Sequence, residues 1–193
     1  HKDPERIHRY AQIIKAENSR LESQVERVLQ LAKLDKGEIQ LKKESLNLQE
    51  LITESVEVFR ISAEQNGGTI TTAFNQENKS ILADKVHLTN IIHNLLDNAN
   101  KYSPENPTIE VKLFSSSGGV SVSISDNGKG MNKEQQKLIF DKFYRVPNGS
   151  LHDVKGFGLG LYYVKKIITQ HGGKVSVTSE IDKGSKFTFW LPA

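Results

Sequence analysis

Residues Lys174–Pro192 read KVSVTSEIDKGSKFTFWLP. The segments KVSVTSEI and SKFTFWLP have strand character, and the turn residues DKG stand between them. Strands this close in sequence pair antiparallel, because a parallel partner needs a crossover of a dozen residues or more. The same pattern occurs upstream. TIEVKLF (108–114) and VSVSISD (120–126) alternate apolar and polar residues around SSSGG, which predicts a second hairpin. Much of the sheet is therefore expected to be antiparallel. A doubly wound parallel sheet would place a helix between nearly every pair of strands. A dinucleotide fold would also open with a strand, a glycine-rich turn and a helix, which is missing here. No GxxxxGK[ST] occurs, which excludes a P-loop.

Working outward from these hairpins, EIQLKKESLNL reads as a strand and a turn. LQELITESVEVFRISAEQN reads as an amphipathic helix with Leu51, Ile52, Val56, Phe59 and Ile61 as core candidates. GTITTAF and SILAD are strands, and Asp84 is placed to cap the helix that follows. Lys133–Phe140 is a short helix, and PNGSLHDVKGFG is a polar, glycine-containing loop or lid. LGLYYVKKIITQHGG is a helix ending at Gly172. The fold expected for residues 38–193 is an α/β two-layer sandwich, with a mixed, largely antiparallel sheet and helices on one face. Residues 1–37 form a separate element, one long helix. Its apolar or small residues Ile7, Ala11, Ile14, Leu21, Val25, Val28 and Ala32 recur at alternating steps of four and three, interrupted at Asn18. Pro4 suits the start and Gly37 the stop. Such a seam suits a bundle or coiled coil; packing on the helix's own domain is the alternative.

Composition narrows the functional classes. The 193 residues are 36% hydrophobic and 25% charged, enough for a packed core. A net charge of +3 permits an anionic ligand but gives no case for nucleic acid. The absence of cysteine excludes disulfides and thiolate metal sites. No signal peptide or membrane-length apolar run is visible in these residues. The opening HKDPER, without methionine, is what a fragment of a longer protein would show.

The chemistry concentrates in three segments. NIIHNLLDNANKYSP (90–104) reads as a helix although asparagine forms helices poorly. Asn90, Asn94 and Asn98 stand four residues apart, one above another on one face beside the stripe Ile91, Ile92, Leu95, Leu96 and Ala99. Amide oxygens are neutral hard ligands, suited to Mg²⁺ that keeps waters and leans on phosphates. Lys101 can then neutralise phosphate charge. A merely solvated helix edge is the competing reading. In SISDNGKGM, Asp126 ends a strand, and Gly128 and Gly130 permit close backbone approach. A buried carboxylate there suits the exocyclic amine of adenine; an ordinary turn uses the same residues. In KGFGLGLYYVKK, Gly156, Gly158 and Gly160 run into a helix whose free N–H groups make an anion site, unless the segment is only a hinge. Between them, KLIFDKFYRVP offers Phe140 and Phe143 for packing and Arg145 for a terminal phosphate or for plain surface.

In this order, these segments resemble the catalytic and ATP-binding domain of sensor histidine kinases, within the superfamily shared with gyrase and the ninety-kilodalton heat-shock chaperones. The likeness covers almost the whole chain. NLLDNANKYS falls on the family's N box, DNGKG on its first glycine box, IFDKFYR on its F box and GFGLGL on its second glycine box, and GSKFTFWLP resembles its closing strand. The resemblance implies the Bergerat ATP-binding fold, with ATP and Mg²⁺ as ligands. It implies that Asp126 reads the adenine amine, with Gly128 and Gly130 beside it, and that Tyr102 lines or stacks on the base. Asn98 would be the principal metal ligand with Asn94 close by, and Lys101 and Arg145 would meet phosphate. Tyr144, Gly156, Phe157, Gly158, Leu159, Gly160 and Leu161 would line the nucleotide under a flexible lid. Thr188 would approach the adenine-side water network. Asn90 is taken as supporting.

RLESQVERVLQLAKLDKGEI resembles the second helix of the dimerisation and histidine-phosphotransfer domain, which implies a homodimer through a four-helix bundle. The family's nucleophilic histidine lies on the first helix of that hairpin, in a motif like HExxTP, and no such motif is present. None of His1, His8, His87, His93, His152 and His171 is assigned that role. The implied reaction is transfer of the ATP γ-phosphoryl group to a histidine supplied by the missing helix, then to an aspartate of a response regulator receiver domain. The fragment is expected to be soluble and cytoplasmic, the intact protein anchored in the bacterial inner membrane. The rivals are a gyrase-like or chaperone-like ATPase, which needs a carboxylate to activate water, a degenerate nucleotide-sensing scaffold, and a serine kinase of the same fold.

Overall fold

The computed structural model describes residues 4–36, 39–75, 80–103, 106–116, 118–146 and 157–193. Gly37, Gly156, residues 147–155 of the expected lid, His1 and His152 lie outside the described residues. The chain divides into two units, His1–Gln40 and Leu41–Ala193. The first is the single helix α1, Pro4–Asp35. Of its expected seam, Ala11, Ile14, Leu21, Val25 and Ala32 are all exposed. No described helix is long and apolar enough to cross a membrane.

The second unit is the expected sandwich. Its elements are β1 (Glu44–Asn47), α2 (Leu48–Gln65), β2 (Thr69–Asn75), β3 (Ser80–Ala83), α3 (Lys85–Tyr102), β4 (Thr108–Ser116), β5 (Gly119–Asp126), α4 (Lys133–Leu138), α5 (Gly160–Gln170), β6 (Lys174–Glu180) and β7 (Gly184–Pro192). The main sheet has the order β2-β4-β5-β7-β6, and β1 pairs with β3 in a small separate sheet. Only β2 and β4 pair parallel, joined across α3; the other three pairings are antiparallel. Both predicted hairpins are present, closing at Ser116 opposite Gly119 and Glu180 opposite Gly184. The helices cover one face of this sheet.

The core lies between that face and the helices. Leu88, Ile91, Ile92, Leu95 and Leu96 of α3 are all but inaccessible to solvent, as are Val111, Val122, Ile124 and Phe189 of the sheet. Each such aliphatic side chain contributes about 1.5–3 kcal/mol through burial. On α2, Leu48, Leu51, Ile52, Ser55 and Val56 are buried at helical spacing. Ile61 departs from the expectation. It falls on the outer face with Val58, and both are 65% exposed, while Ala63 takes the inner position. Phe59 is half-buried, with its ring edge-on to His93 at 5.3 Å. The short helix is two residues shorter than expected. A capping box between Asn132 and Gln135 starts it, and Phe140 lies beyond its end.

Asp84 does more than cap α3. Its Oδ1 accepts from the His87 N–H (3.0 Å) and its Oδ2 from the Lys42 N–H (2.8 Å). Burial pushes this carboxyl up, but those hydrogen bonds and the nearby imidazoles outweigh burial and leave it below its ordinary value. The Asp84 N–H donates to His171 Nε2 at 3.0 Å, and His171 Nδ1 lies 2.9 Å from the Ile167 carbonyl. These partners require neutral imidazole with the proton on Nδ1. Burial, first among several causes, holds His171 below its usual value. Below about pH 6.5 the unfolded chain therefore takes up a proton that the folded chain refuses, and stability falls as pH drops through that window. Urea denaturation between pH 7 and 5 should show this loss, and His171→Gln should flatten it by up to about 1.4 kcal/mol per pH unit.

Candidate functional site

The site is built along α3, at the end of β5 and at the start of α5. The apolar stripe of α3 is committed to the core, which presents Asn90, Asn94 and Asn98 along a half-buried flank. The Asn94 amide Nδ2 donates to the Asn90 carbonyl at 2.7 Å, leaving Oδ1 as its free acceptor end. That oxygen faces the second glycine segment: a β-carbon at Gly160 would stand 2.7 Å from it. One turn further along, Asn98 is half-buried. Lys101 forms an ion pair with Asp97 on the helix surface. Tyr102, 37% exposed, ends the helix. Burial raises its phenol above the usual value, the Arg145 guanidinium lowers it and Asp97 raises it, which places the F-box arginine in the electrostatic neighbourhood of the asparagine helix.

Asp126 closes β5 on the core face, the parity of Val122 and Ile124. Its Oδ1 accepts from the Gly128 N–H (2.8 Å) and the Ser185 N–H (3.1 Å), while Oδ2 accepts from neither. Burial pushes the carboxyl above its ordinary value despite these two bonds. The backbone crowds round it. A β-carbon at Gly128 would meet the Tyr102 carbonyl at 2.5 Å, and the Lys129 N–H donates to that same carbonyl at 3.1 Å. The first glycine box is thus tied directly to the end of the asparagine helix. Gly130 has φ +65, and a β-carbon there would collide with the Glu180 carbonyl at 1.8 Å.

Several expected residues stand elsewhere than their motifs suggest. Phe140 is buried, edge-on to Phe187 at 6.2 Å, but Phe143 does not pack; it is 61% exposed, with φ 65. Its N–H donates to the Gly158 carbonyl at 3.0 Å. Gly158, φ +69, lies so close that a β-carbon would meet the carbonyl of half-buried Tyr144 at 2.5 Å. The F box and the second glycine box are therefore joined. Leu159 is buried, Leu161 half-buried and Phe157 55% exposed. Gly160 opens α5, and no side chain caps that helix.

Thr188 is not brought to Asp126. It pairs with Ser123, while Ser185 pairs with Asp126. Alternation puts Ser185 on the side of Phe187 and Phe189 and Thr188 on the opposite face of the sheet. Ser185 is the residue that the motif reading missed, and counting back by twos from Leu191 finds it. Ser185 Oγ lies 3.0 Å from Ser179 Oγ, which donates to the Gly184 carbonyl and accepts from the Met131 N–H, both at 2.8 Å. Gln136 Nε2 adds bonds to the Met131 and Ser179 carbonyls, each 2.9 Å. This network anchors the loop after Asp126 to the last hairpin.

Residues 83–193 match the family model described as histidine kinase-, DNA gyrase B-, and HSP90-like ATPase. The sensor protein RprX of Bacteroides fragilis is 45% identical over 193 residues, covering 99% of this chain and 37% of the relative. The full-length structure of ShkA in complex with AMPPNP superposes with a TM-score of 0.86 at 27% identity, over 96% of this chain and 38% of that one. Histidine kinase ThkA in complex with the response regulator protein TrrA gives 0.75 at 27% identity, over 100% of this chain and 53% of that one. The chain spans well under two thirds of the curated relatives' length, 37% for RprX and 49% for the mycobacterial SenX3. The boxes, the sheet order and these likenesses converge: the chain belongs to the histidine kinase-, DNA gyrase B- and HSP90-like ATPase family, and its sheet unit is the ATP-binding catalytic domain of a sensor histidine kinase.

Proposed function

We propose that Leu41–Ala193 holds ATP with Mg²⁺ between α3, the Asp126 turn and the start of α5, and that in the intact protein it phosphorylates a histidine. The observation that carries this is the Asp126 carboxylate. It is a desolvated acceptor whose Oδ1 is fixed by two backbone amides, beside a turn where any β-carbon at Gly128 would intrude. That arrangement fits the exocyclic amine of a purine. A second feature fits the phosphates and their metal: the Asn94 oxygen lies against a glycine that leaves it room, next to an uncapped helix start. Asn98 is the principal metal ligand in this reading, and Asn94 assists. Bound there, Mg²⁺ would neutralise phosphate charge. Lys101 and Arg145 meet phosphate oxygens, the former by leaving Asp97. Tyr102, Tyr144, Gly130, Phe157, Gly158, Leu159 and Leu161 line the nucleotide in this reading.

The reaction in this reading breaks the bond from the γ-phosphorus to the bridging oxygen, forms a phosphorus–nitrogen bond to imidazole, and releases ADP. The domain contributes positioning and charge neutralisation. Neutral imidazole is nucleophilic without a strong base. Residues 1–37 are read as part of the dimerisation and phosphotransfer hairpin, with 38–193 the catalytic domain. The exposed apolar seam of α1 supports a homodimer. A response regulator aspartate as the next acceptor, and inner-membrane anchoring of the intact protein, belong to the same reading. The complex of ThkA with TrrA supports the first.

Four measurements check it. Calorimetric titration of ATP with Mg²⁺ should give binding that Asn98→Ala weakens by about tenfold or more, while ATP without Mg²⁺ is little changed. Asp126→Asn should weaken ATP by about ten- to a hundredfold. In the wild type, affinity should fall on acidification from above the ordinary carboxylate range, because burial raises the Asp126 carboxyl and its charged form is the acceptor. Finally, labelled ATP mixed with the chain and a separately supplied histidine phosphotransfer domain should label that domain and not this chain. No transfer at high acceptor concentration would sink the kinase reading.

A further inference from the structure

The asparagine helix and the second glycine segment are held together by a seam that the nucleotide chemistry does not itself require. α3 and α5 run antiparallel, and their facing residues bond in order. At one end the Asp84 N–H meets His171 Nε2 at 3.0 Å. In the middle, His87 Nδ1 lies 2.7 Å from the phenol oxygen of Tyr163, with the rings 6.0 Å apart. The Asn90 side chain also acts on that phenol, lowering its value against the effect of burial. At the other end, Asn94 Oδ1 stands against Gly160. The positions recur at helical spacing on both helices: 84, 87, 90 and 94 on one, 171, 163 and 160 on the other.

Tyr163 is the central tie. It is only 7% exposed, and burial pushes its phenol up to about 12, so it stays protonated and can donate to His87. It sits three residues beyond Gly160, as Asn90 sits four before Asn94. A shift of α5 along α3 would break the phenol's bond to His87 and move the Asn94 oxygen away from the helix start together. Packing alone defines such a register less sharply, because Val164, Ile167 and Ile168 of α5, like Ile91 and Leu95 of α3, are buried aliphatic side chains without directional bonds. Directional hydrogen bonds between buried groups do define it.

We propose that Tyr163, held by His87, is a positioning residue that fixes Asn94 relative to the second glycine segment and so sets the metal-dependent part of ATP binding. This rests on the reading of Asn94 and Asn98 as metal ligands. The test uses the 193-residue chain and Tyr163→Phe, which removes one hydroxyl and keeps the ring. Binding of ATP with Mg²⁺ should weaken by about fivefold, the value of one hydrogen bond, with metal-free ADP within about twofold of wild type. In nucleotide-free protein, the Asn94 side-chain amide and the Gly160 backbone amide should shift in nitrogen–proton correlation spectra. His87→Phe should reproduce both effects and add little to Tyr163→Phe in the double variant, whereas His87→Gln, which keeps a partner for the phenol, should restore much of the loss. Equal weakening of both nucleotides, weakening of neither, or unmoved Asn94 and Gly160 resonances would overturn the proposal. A wild type with no Mg²⁺-dependent tightening would overturn the metal reading instead, and the resonances would still decide whether the seam fixes Asn94.

Discussion

Everything at the site depends on α3 being unable to rotate. Five large aliphatic side chains on one stripe are buried against the sheet, and turning the helix by even a fraction of a residue would expose them. With that stripe committed, the neighbouring flank is fixed in space, and it is the flank that carries the asparagines. The helix therefore uses weak helix formers where packing, rather than intrinsic propensity, supplies the stability. Asp84 fixes the start of the helix and the Tyr102 carbonyl, bound by Lys129, fixes its end.

The acidic group is held by a different logic. Asp126 is placed by strand register, and its surroundings are almost all backbone: two amides on one oxygen, glycine where a side chain would obstruct. A carboxylate in that setting keeps its acceptor role without a cationic partner, which a site for a polyanion would otherwise have to balance. Ser179 and Gln136 hold the turn by bonding to backbone atoms on both sides of it. They stabilise the shape of that turn without bonding to Asp126 Oδ2.

Much of this was legible in the amino-acid order. Hairpin turns and alternation disclosed the antiparallel sheet, and the spacing of the asparagines disclosed the flank. What failed was legible only through pairing. Thr188 looked suitable by motif, but parity along β7 puts it behind the sheet, with Ser185 in its place. Phe143 looked like core by hydrophobicity, but the chain turns through a left-handed conformation there and leaves the ring outside. Ile61 lost its place because the inward face of α2 had already passed to Ala63. The contact between His87 and Tyr163 joins residues on different helices, and no local pattern announces it. The comparisons settle the family; the individual roles of the nucleotide-lining side chains rest on the geometry and the experiments it calls for.

The order of the main sheet has a consequence for how this segment is made. β7 follows both β5 and β6 in the sequence, yet it is an interior strand, bonded on one side to β5 and on the other to β6. Until it arrives, β5 and β6 have no common neighbour and the hydrophobic face has a gap at its centre, where Phe189 belongs. Vectorial folding from the amino end can assemble the asparagine helix with β2 and β4, but closure of the sheet waits for β7. Loss of β7 would therefore open the middle of the sheet rather than its fringe, and the integrity of the whole layer hangs on a strand that joins after both of its neighbours.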